Sequence, residues 1–399
     1  MQTAKGVPDM HHARKGSLSL LAGAMLLASA GAFATVEPAV PQQGKPVTTA
    51  KELQQAKTYT VSSAPTEALE LAKPTLPDLS GFTAEAAAAK IVRSKPGKIS
   101  VRRMMQEDAL KDFIGGDNKM AEWVVRQHGI PQAIFVDDGY MNLKDLAQKL
   151  PKQYFSETSP GVYLSKLPIV VGRKGILEID DQTQELRLSQ EAGSFLVNDG
   201  QLFVRDTKVT GWREKDNGPA TFRSPKEFRP FLLAWGGTET YIVNSKMASF
   251  GYANSKSYGV SISQYTPNMA KVLKRPEPTG WIVGSEFSDM WYGFYCYETR
   301  DFVVKGNTYK DNIVYGIDPH DRSHGLIIAD NTVYGTKKKH GIIISREVND
   351  SFIFNNRSYD NKLSGLVIDR NSVNNLIADN EIYRNHTDGI TLYESGDNL

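Results

Sequence analysis

A single cysteine, Cys296, stands in a chain of 399 residues, so no disulfide can form within it and the fold must be held by its core. A lone cysteine in a strand-like stretch reads as a small buried hydrophobe before it reads as a catalytic thiol. Neither sign of charge is in excess: 47 Lys and Arg face 45 Asp and Glu. Residues 1–34 hold Lys5, Arg14, Lys15 and Asp9, a net +2, and the whole chain is +2, so the remainder is near neutral. That excludes the broad basic surface of a nucleic-acid binder. Beyond residue 34 no apolar run is long enough to span a membrane. There is no strong zinc-ligand spacing, no acidic calcium repeat and no nucleophile elbow. Neither metal nor cofactor is therefore expected.

The N-terminus supplies what the rest lacks. "ARKG" is followed by the apolar "SLSLLAGAMLLASAGAFA", ending in Ala32-Phe33-Ala34. A basic region, a short apolar run and an A-x-A site predict a signal peptide over 1–34. Residues 35–90, rich in Ala, Pro, Thr and Lys, predict a flexible lead-in. From Ile91 the texture is mixed. "SVRRMMQEDALKDFIGGD" has helical spacing with a Gly-Gly stop, and "DGYMNLKDLAQKLPKQ" reads as a second short helix. A capping region is expected over 91–167.

From about Pro168 to residue 399 the chain is short strands and turns with no 3.6-residue period. It repeats. Gly293, Gly316, Gly341, Gly365 and Gly389 are spaced by 23, 25, 24 and 24 residues. Asn307, Asn331, Asn356 and Asn380 keep the same step, as do Asn312, Thr336, Asn361 and Asn385. Gly259 fits as well, with "QYTPNMAKVLKRPEPTG" as a loop inserted into its coil. One unit of this length per turn predicts an all-β solenoid, a parallel β-helix. The helices of 91–167 are natural lids for its first coil.

Alternation then assigns faces. Phe294, Cys296, Ile317, Pro319, Ile342 and Ile344 point inward. One outer column is Tyr297, His320, Ser345, Asp369 and Tyr393; a second is Tyr295, Asp318, Ile343, Val367 and Thr391. Such a face, rich in Tyr, His, Asp and Arg, suits an extended polysaccharide. In "YGIDPHDRSHG" the candidate base is His320, with Asp318 on the same face, Tyr315 just before the strand and Arg346 one coil along. Imidazole is the usual general base near neutrality, and Arg grips a carboxylate with two parallel hydrogen bonds. This set suits removal of a proton beside a carboxylate, with either reprotonation from the other side or β-elimination to follow. Asp321, His324, Asp369, Arg370 and Tyr393 are candidate polymer contacts. Three other readings stay open: a paired-carboxylate glycosidase using Asp318, Asp321 or Asp369, a metal held by His320, His324 and Asp321, and a non-catalytic polysaccharide-binding scaffold.

The string "YGIDPHDRSHG", with the coils "GIIISREVND" and "NRSYDNKLSGLVIDRNS" after it, resembles the periplasmic mannuronan C5-epimerases of alginate-producing bacteria over about residues 91–399. The resemblance implies a right-handed parallel β-helix and conversion of β-D-mannuronate to α-L-guluronate within the polymer, in the periplasm. It implies that His320 takes the proton, that Arg346 neutralises the carboxylate, and that Tyr315 or water returns the proton. It also implies protein partners in a polymer export assembly. Members of that family usually continue for several more coils. This chain stops at "YESGDNL", directly after a strand, so a C-terminally shortened solenoid is expected.

Overall fold

The computed structural model describes residues 74–115 and 126–399. The expected signal peptide and the lead-in as far as residue 73 lie outside the described residues. From Gln132 onward the chain winds through three sheets, one strand to each sheet per turn. The front sheet stacks Gln132–Asp137, Ile169–Val171, Leu196–Asn198, Leu232–Ala234, Gly259–Ser263, Tyr292–Tyr297, Tyr315–His320, Ile342–Ser345, Leu366–Asp369 and Ile390–Tyr393. Every neighbour in that run is parallel. The fold is a right-handed parallel β-helix. Antiparallel pairing is found where Lys98–Arg103 caps Gln132–Asp137, where Phe155–Ser159 pairs with Val162–Ser165, and in the short pairing of Gly218–Pro219 with Trp212 and Arg213.

The interior is one continuous apolar column. Phe294, Cys296, Ile317, Ile328, Val333, Ile342, Ile344, Ile353, Leu366 and Ile368 belong to it, and the single thiol is fully buried. The two asparagine rows satisfy the turns. In the first, Asn307, Asn331 and Asn356 each donate from the backbone N–H and from Nδ2 to the Oδ1 of the asparagine in the next coil. Each Nδ2 also donates to a carbonyl of the preceding coil. The second row is interrupted. Thr336 stands where the others carry Asn, and there the Asn312 Nδ2 and the Thr336 Oγ1 are buried without a hydrogen-bond partner.

The repeating glycine marks a corner. The N–H groups of Gly316 and Ile317 both donate to the Gly341 carbonyl, so the chain bends there and strand alternation restarts. A Cβ on Gly316 would run into Val333 and meet the Gly341 oxygen at 2.7 Å. The corner also places Tyr315 in an outer apolar cluster with Trp291, Ile343 and Val367.

The N-terminal segment differs from the expectation in one respect. Lys98–Arg103 is a strand, not the start of a helix, because Ile99 and Val101 alternate and the front sheet offers it a partner. Among the described residues the helix covers Asp108–Gly115. It does not lid the open end. Leu110, Phe113 and Ile114 pack on the outer side of the front sheet against Phe135, Val170, Val197, Leu233 and Trp235. The inserted segment carries a helix of its own, Pro267–Leu273, whose Met269, Ala270 and Leu273 extend that cover. The second expected helix, Leu143–Lys149, is present with an Asn142–Asp145 capping box, and Leu143 and Leu146 enter the core.

Candidate active site

The outer columns form as the alternation predicts. Tyr297, His320, Ser345, Asp369 and Tyr393 pair in succession across the front sheet, and Tyr295 pairs with Asp318. Strand Tyr315–His320 therefore carries its polar side chains on a floor whose backbone is paired to the coils on both sides.

His320 is part-buried at the end of that strand, and its Nδ1 is hydrogen-bonded to the Asp321 carboxylate. Holding Nδ1 leaves Nε2 as the atom available to a ligand. Asp321 is steered by several neighbours. Burial pushes its carboxyl up, but the His320 bond and the charges of His320, Arg346 and Arg322 outweigh that and hold it below the usual carboxylate range. Arg346, from the next coil, brings a guanidinium nitrogen to 3.9 Å of Asp321 and keeps nearly half of its side chain exposed. A charged, half-open guanidinium beside an oriented imidazole is an arrangement that can take an anionic ligand. Arg322 is committed elsewhere, 2.6 Å from Glu298 and 3.1 Å from the Tyr297 hydroxyl.

Asp318 sits beneath this surface. It is only 2 % exposed, and its Oδ1 has no hydrogen-bond partner. Burial, outweighing the charge of His320 and reinforced by that of Asp321, pushes its carboxyl up to about 7. The outward direction expected of it is right, but the side chain is enclosed rather than presented to solvent. Tyrosines surround it. Tyr258 stacks on Tyr292 at 4.6 Å, Tyr292 meets Tyr315 edge-on at 4.9 Å, and the Tyr295 ring lies 5.8 Å from that of His320. Burial raises all four phenols, and the Asp318 charge adds to each.

The remaining expected residues divide. Asp369 accepts from Ser345 at 3.1 Å and from Arg370 at 2.7 Å, so both belong to the same floor, two coils from His320. Tyr393 ends that column and is 54 % exposed. His324 does not join the group. It lies in the turn after the sheet, and its imidazole faces Glu277 of the insert at 3.9 Å. Among the described residues no set of three His, Cys, Asp or Glu is arranged to hold a metal ion. Two residues, Lys339 and Lys256, escaped the sequence reading, whereas the repeat itself places His340 on the outer face just before Gly341. Lys339 donates to the Tyr315 hydroxyl at 3.2 Å. His340 stacks on the Tyr315 ring, and Lys256 lies 4.7 Å over the Tyr297 ring while donating to the Gln264 carbonyl. Lys339 directly precedes His340 of that corner column, which could have revealed it.

Comparison with known proteins gives a consistent answer. Residues 244–399 match the family model described as periplasmic copper-binding protein (NosD). A mannuronan C5-epimerase of Pseudomonas fluorescens is 85 % identical over 387 residues, covering 97 % of this chain and 72 % of that protein. The mannuronan C5-epimerase of Pseudomonas putida KT2440 is 77 % identical over 381 residues, covering 96 % of this chain and 72 % of that protein. Among solved structures, that of the periplasmic alginate epimerase AlgG is similar with a TM-score of 0.81 and 72 % identity, over 83 % of this chain and 78 % of that one.

Proposed function

The chain belongs to the mannuronan C5-epimerases, and on that premise we propose which of its side chains carry the reaction. The protein is a periplasmic isomerase that converts β-D-mannuronate to α-L-guluronate within the polymer. The C5 proton to be moved lies next to a carboxylate. Its removal places charge on that carboxylate, so a cation at the carboxylate and a base at the proton are both required.

The observation that carries the assignment is the pairing of His320 with Asp321 beside Arg346. His320 Nε2 takes the C5 proton. The C5–H bond breaks and its electron pair passes into the carboxylate, held by the Arg346 guanidinium. Asp321 fixes the imidazole by Nδ1 and stabilises the imidazolium that forms, so it orients the base and does not bind polymer directly. Asp318, its carboxyl raised to about 7 by burial, is ionised less readily than an ordinary carboxylate and so opposes the substrate's negative charge less than one would. Tyr315 or water returns a proton to C5 from the other face. Asp369, Arg370 and Tyr393 continue the floor as polymer contacts, and His324 lies at its margin.

The test is incubation with polymannuronate in heavy water followed by proton NMR. Wild-type protein produces guluronate signals carrying deuterium at C5, without unsaturated chain ends. His320→Ala abolishes exchange at C5 while circular dichroism stays unchanged. Exchange at the wild-type rate in that variant would remove His320 from the role. The family resemblance further supports work alongside export-assembly proteins, which co-purification from the periplasm under mild crosslinking would test.

A further inference from the structure

After each front strand the chain passes through a second sheet, which runs from Gly139–Asn142 to Leu376–Ala378. Alternation fixes its two sides. Ile242, Ile282, Val304, Ile328 and Ile353 belong to the core, so the residues on either side of them face outward. That outward side is apolar. Phe203, Tyr241, Trp281, Val303, Ile327, Phe352 and Leu376 pair in succession as one column. An outer column of the third sheet has instead the composition that solvent ordinarily meets: Lys246, Glu286, Thr308, Thr332, Arg357 and Glu381. A contiguous apolar outer face is the mark of a surface that another element covers.

Over the first half of the column the cover is the chain itself. Ala87 and Ile91 pack with Phe203 and Tyr241. Phe82 meets Trp281 edge-on at 5.0 Å, and the Lys90 ammonium lies 4.9 Å over the same ring. Arg93 closes on Glu178 at 2.8 Å. Lys305 donates to the carbonyls of Leu79 and Phe82 at 2.9 and 3.4 Å. Beneath this strap Phe203 is 0 % and Tyr241 3 % exposed. The strap is thus an apolar segment that also carries cations.

Past Lys305 the column continues and its cover thins. Ile327, Phe352 and Leu376 are partly exposed, while Ala329 and Phe354 beside them are buried, so the opening runs along a single column. Its rims are acidic. Asp330 and Asp379 follow strands Ile327–Ala329 and Leu376–Ala378 on one rim, and Asp350 precedes Phe352–Phe354 on the other. All three are exposed, and none has an ion-pair partner among the described residues. An apolar floor between carboxylates calls for an apolar segment with positive charge, which is the chemistry the strap already supplies one step earlier.

We propose that the outer face of the second sheet over Ile327, Phe352 and Leu376 is a docking surface for a second protein, which lays an apolar segment carrying lysine or arginine along the column in continuation of the strap. A second copy of this chain is a poorer occupant, because the basic apolar segment among its described residues is engaged on its own sheet. His320 and Arg346 belong to the front sheet and the turn after it, so a partner held here leaves the polymer free to reach them. The inference does not depend on which residues carry the reaction.

The probe is a fluorescein-labelled peptide of the strap's own sequence, Ser80 to Lys95, titrated into the full chain and followed by anisotropy. It is expected to bind with a Kd on the order of 10–100 µM and to weaken as salt is raised. Phe352→Lys and, as a guard against a folding defect, Ile327→Lys each weaken it at least about tenfold while epimerisation keeps its wild-type rate. Asp330→Asn combined with Asp350→Asn, which preserves the turns, weakens it about threefold and flattens the salt dependence. A peptide carrying Lys90→Glu, Arg93→Glu and Lys95→Glu does not bind. No binding to the wild-type chain overturns the proposal. Equal affinity in both lysine variants also overturns it, since the peptide then only displaces the strap. Equal binding of the acidic peptide removes the charge complementarity and with it the proposed partner. A dimer in sedimentation that Phe352→Lys dissolves gives the face to a second copy and overturns the proposal as well.

Discussion

Asp318 shows how far a residue's type leaves its role undetermined. Its place on the outer side of the strand follows from alternation, yet its enclosure depends on tyrosines from its own strand and from two other coils that no local pattern points to. The enclosure makes stability depend on pH. Its carboxyl is raised from 3.8 to about 7 in the folded protein, so between these values the folded state binds the proton that the unfolded state has lost. Stability is full below about pH 4, falls as pH rises towards 7, and is then level; three units correspond to about 4 kcal/mol. Asp318→Asn is expected to abolish this fall and to be the more stable protein at about pH 8. Urea midpoints of both proteins across that range check it, and parallel curves would show that another group is responsible. Asp321 makes the complementary case. Asp321→Asn keeps the shape but no longer holds His320 as a charged acceptor, so kcat should drop roughly 100-fold or more with little change in KM. A selective rise in KM would return Asp321 to the polymer-binding role that its position in the sequence first suggested.

At the scale of the coil, the glycine is the least replaceable position. Gly316 turns the chain where two N–H groups share the Gly341 carbonyl, and an added methyl has Val333 and that carbonyl in its way. Gly316→Ala is expected to lower stability by about 1–3 kcal/mol and to lower activity further, since Tyr315 and Asp318 flank the corner; thermal melting and the epimerase assay check the two effects separately. An unchanged melting temperature would mean that the corner can widen without cost. The repeat of this glycine is also why the core and the outer columns were legible. Stacked coils convert a spacing of about 24 residues into contact, so register in sequence becomes neighbourhood in space. The elements that fell outside that logic were not legible. Lys98–Arg103 became a strand because an edge was free to pair with it. Helix Asp108–Gly115 found an apolar front-sheet face whose existence required Phe135, Val170, Leu233 and Trp235 to be assembled first. Lys339 has the same explanation: "TKKKH" reads as a solvated charge run until the coil below it supplies Tyr315.

In the whole molecule these coils form a stack in which each couples to its neighbours alone, so stability is a sum of junctions and not a property spread evenly through the interior. The second asparagine row makes those junctions unequal. At most steps a side-chain amide links adjacent turns, but between Asn312 and Thr336 both polar groups are left unbonded. His320 belongs to the coil on one side of that step and Arg346 to the coil on the other. The stack is thus a one-dimensional lattice with a defect at the junction the substrate must bridge. Thr336→Asn, which supplies the missing amide, is expected to strengthen that junction by about 1 kcal/mol. Hydrogen exchange at the Gly316 and Lys337 amides, which cross it, should slow about fivefold; exchange left as it was would show that the missing bond carries no tension. Between the base and the cation the coils are therefore tied by backbone bonds, those of Gly316, Ile317, Asp321 and Arg322 among them, while the second asparagine row adds its side-chain tie only beyond Thr336.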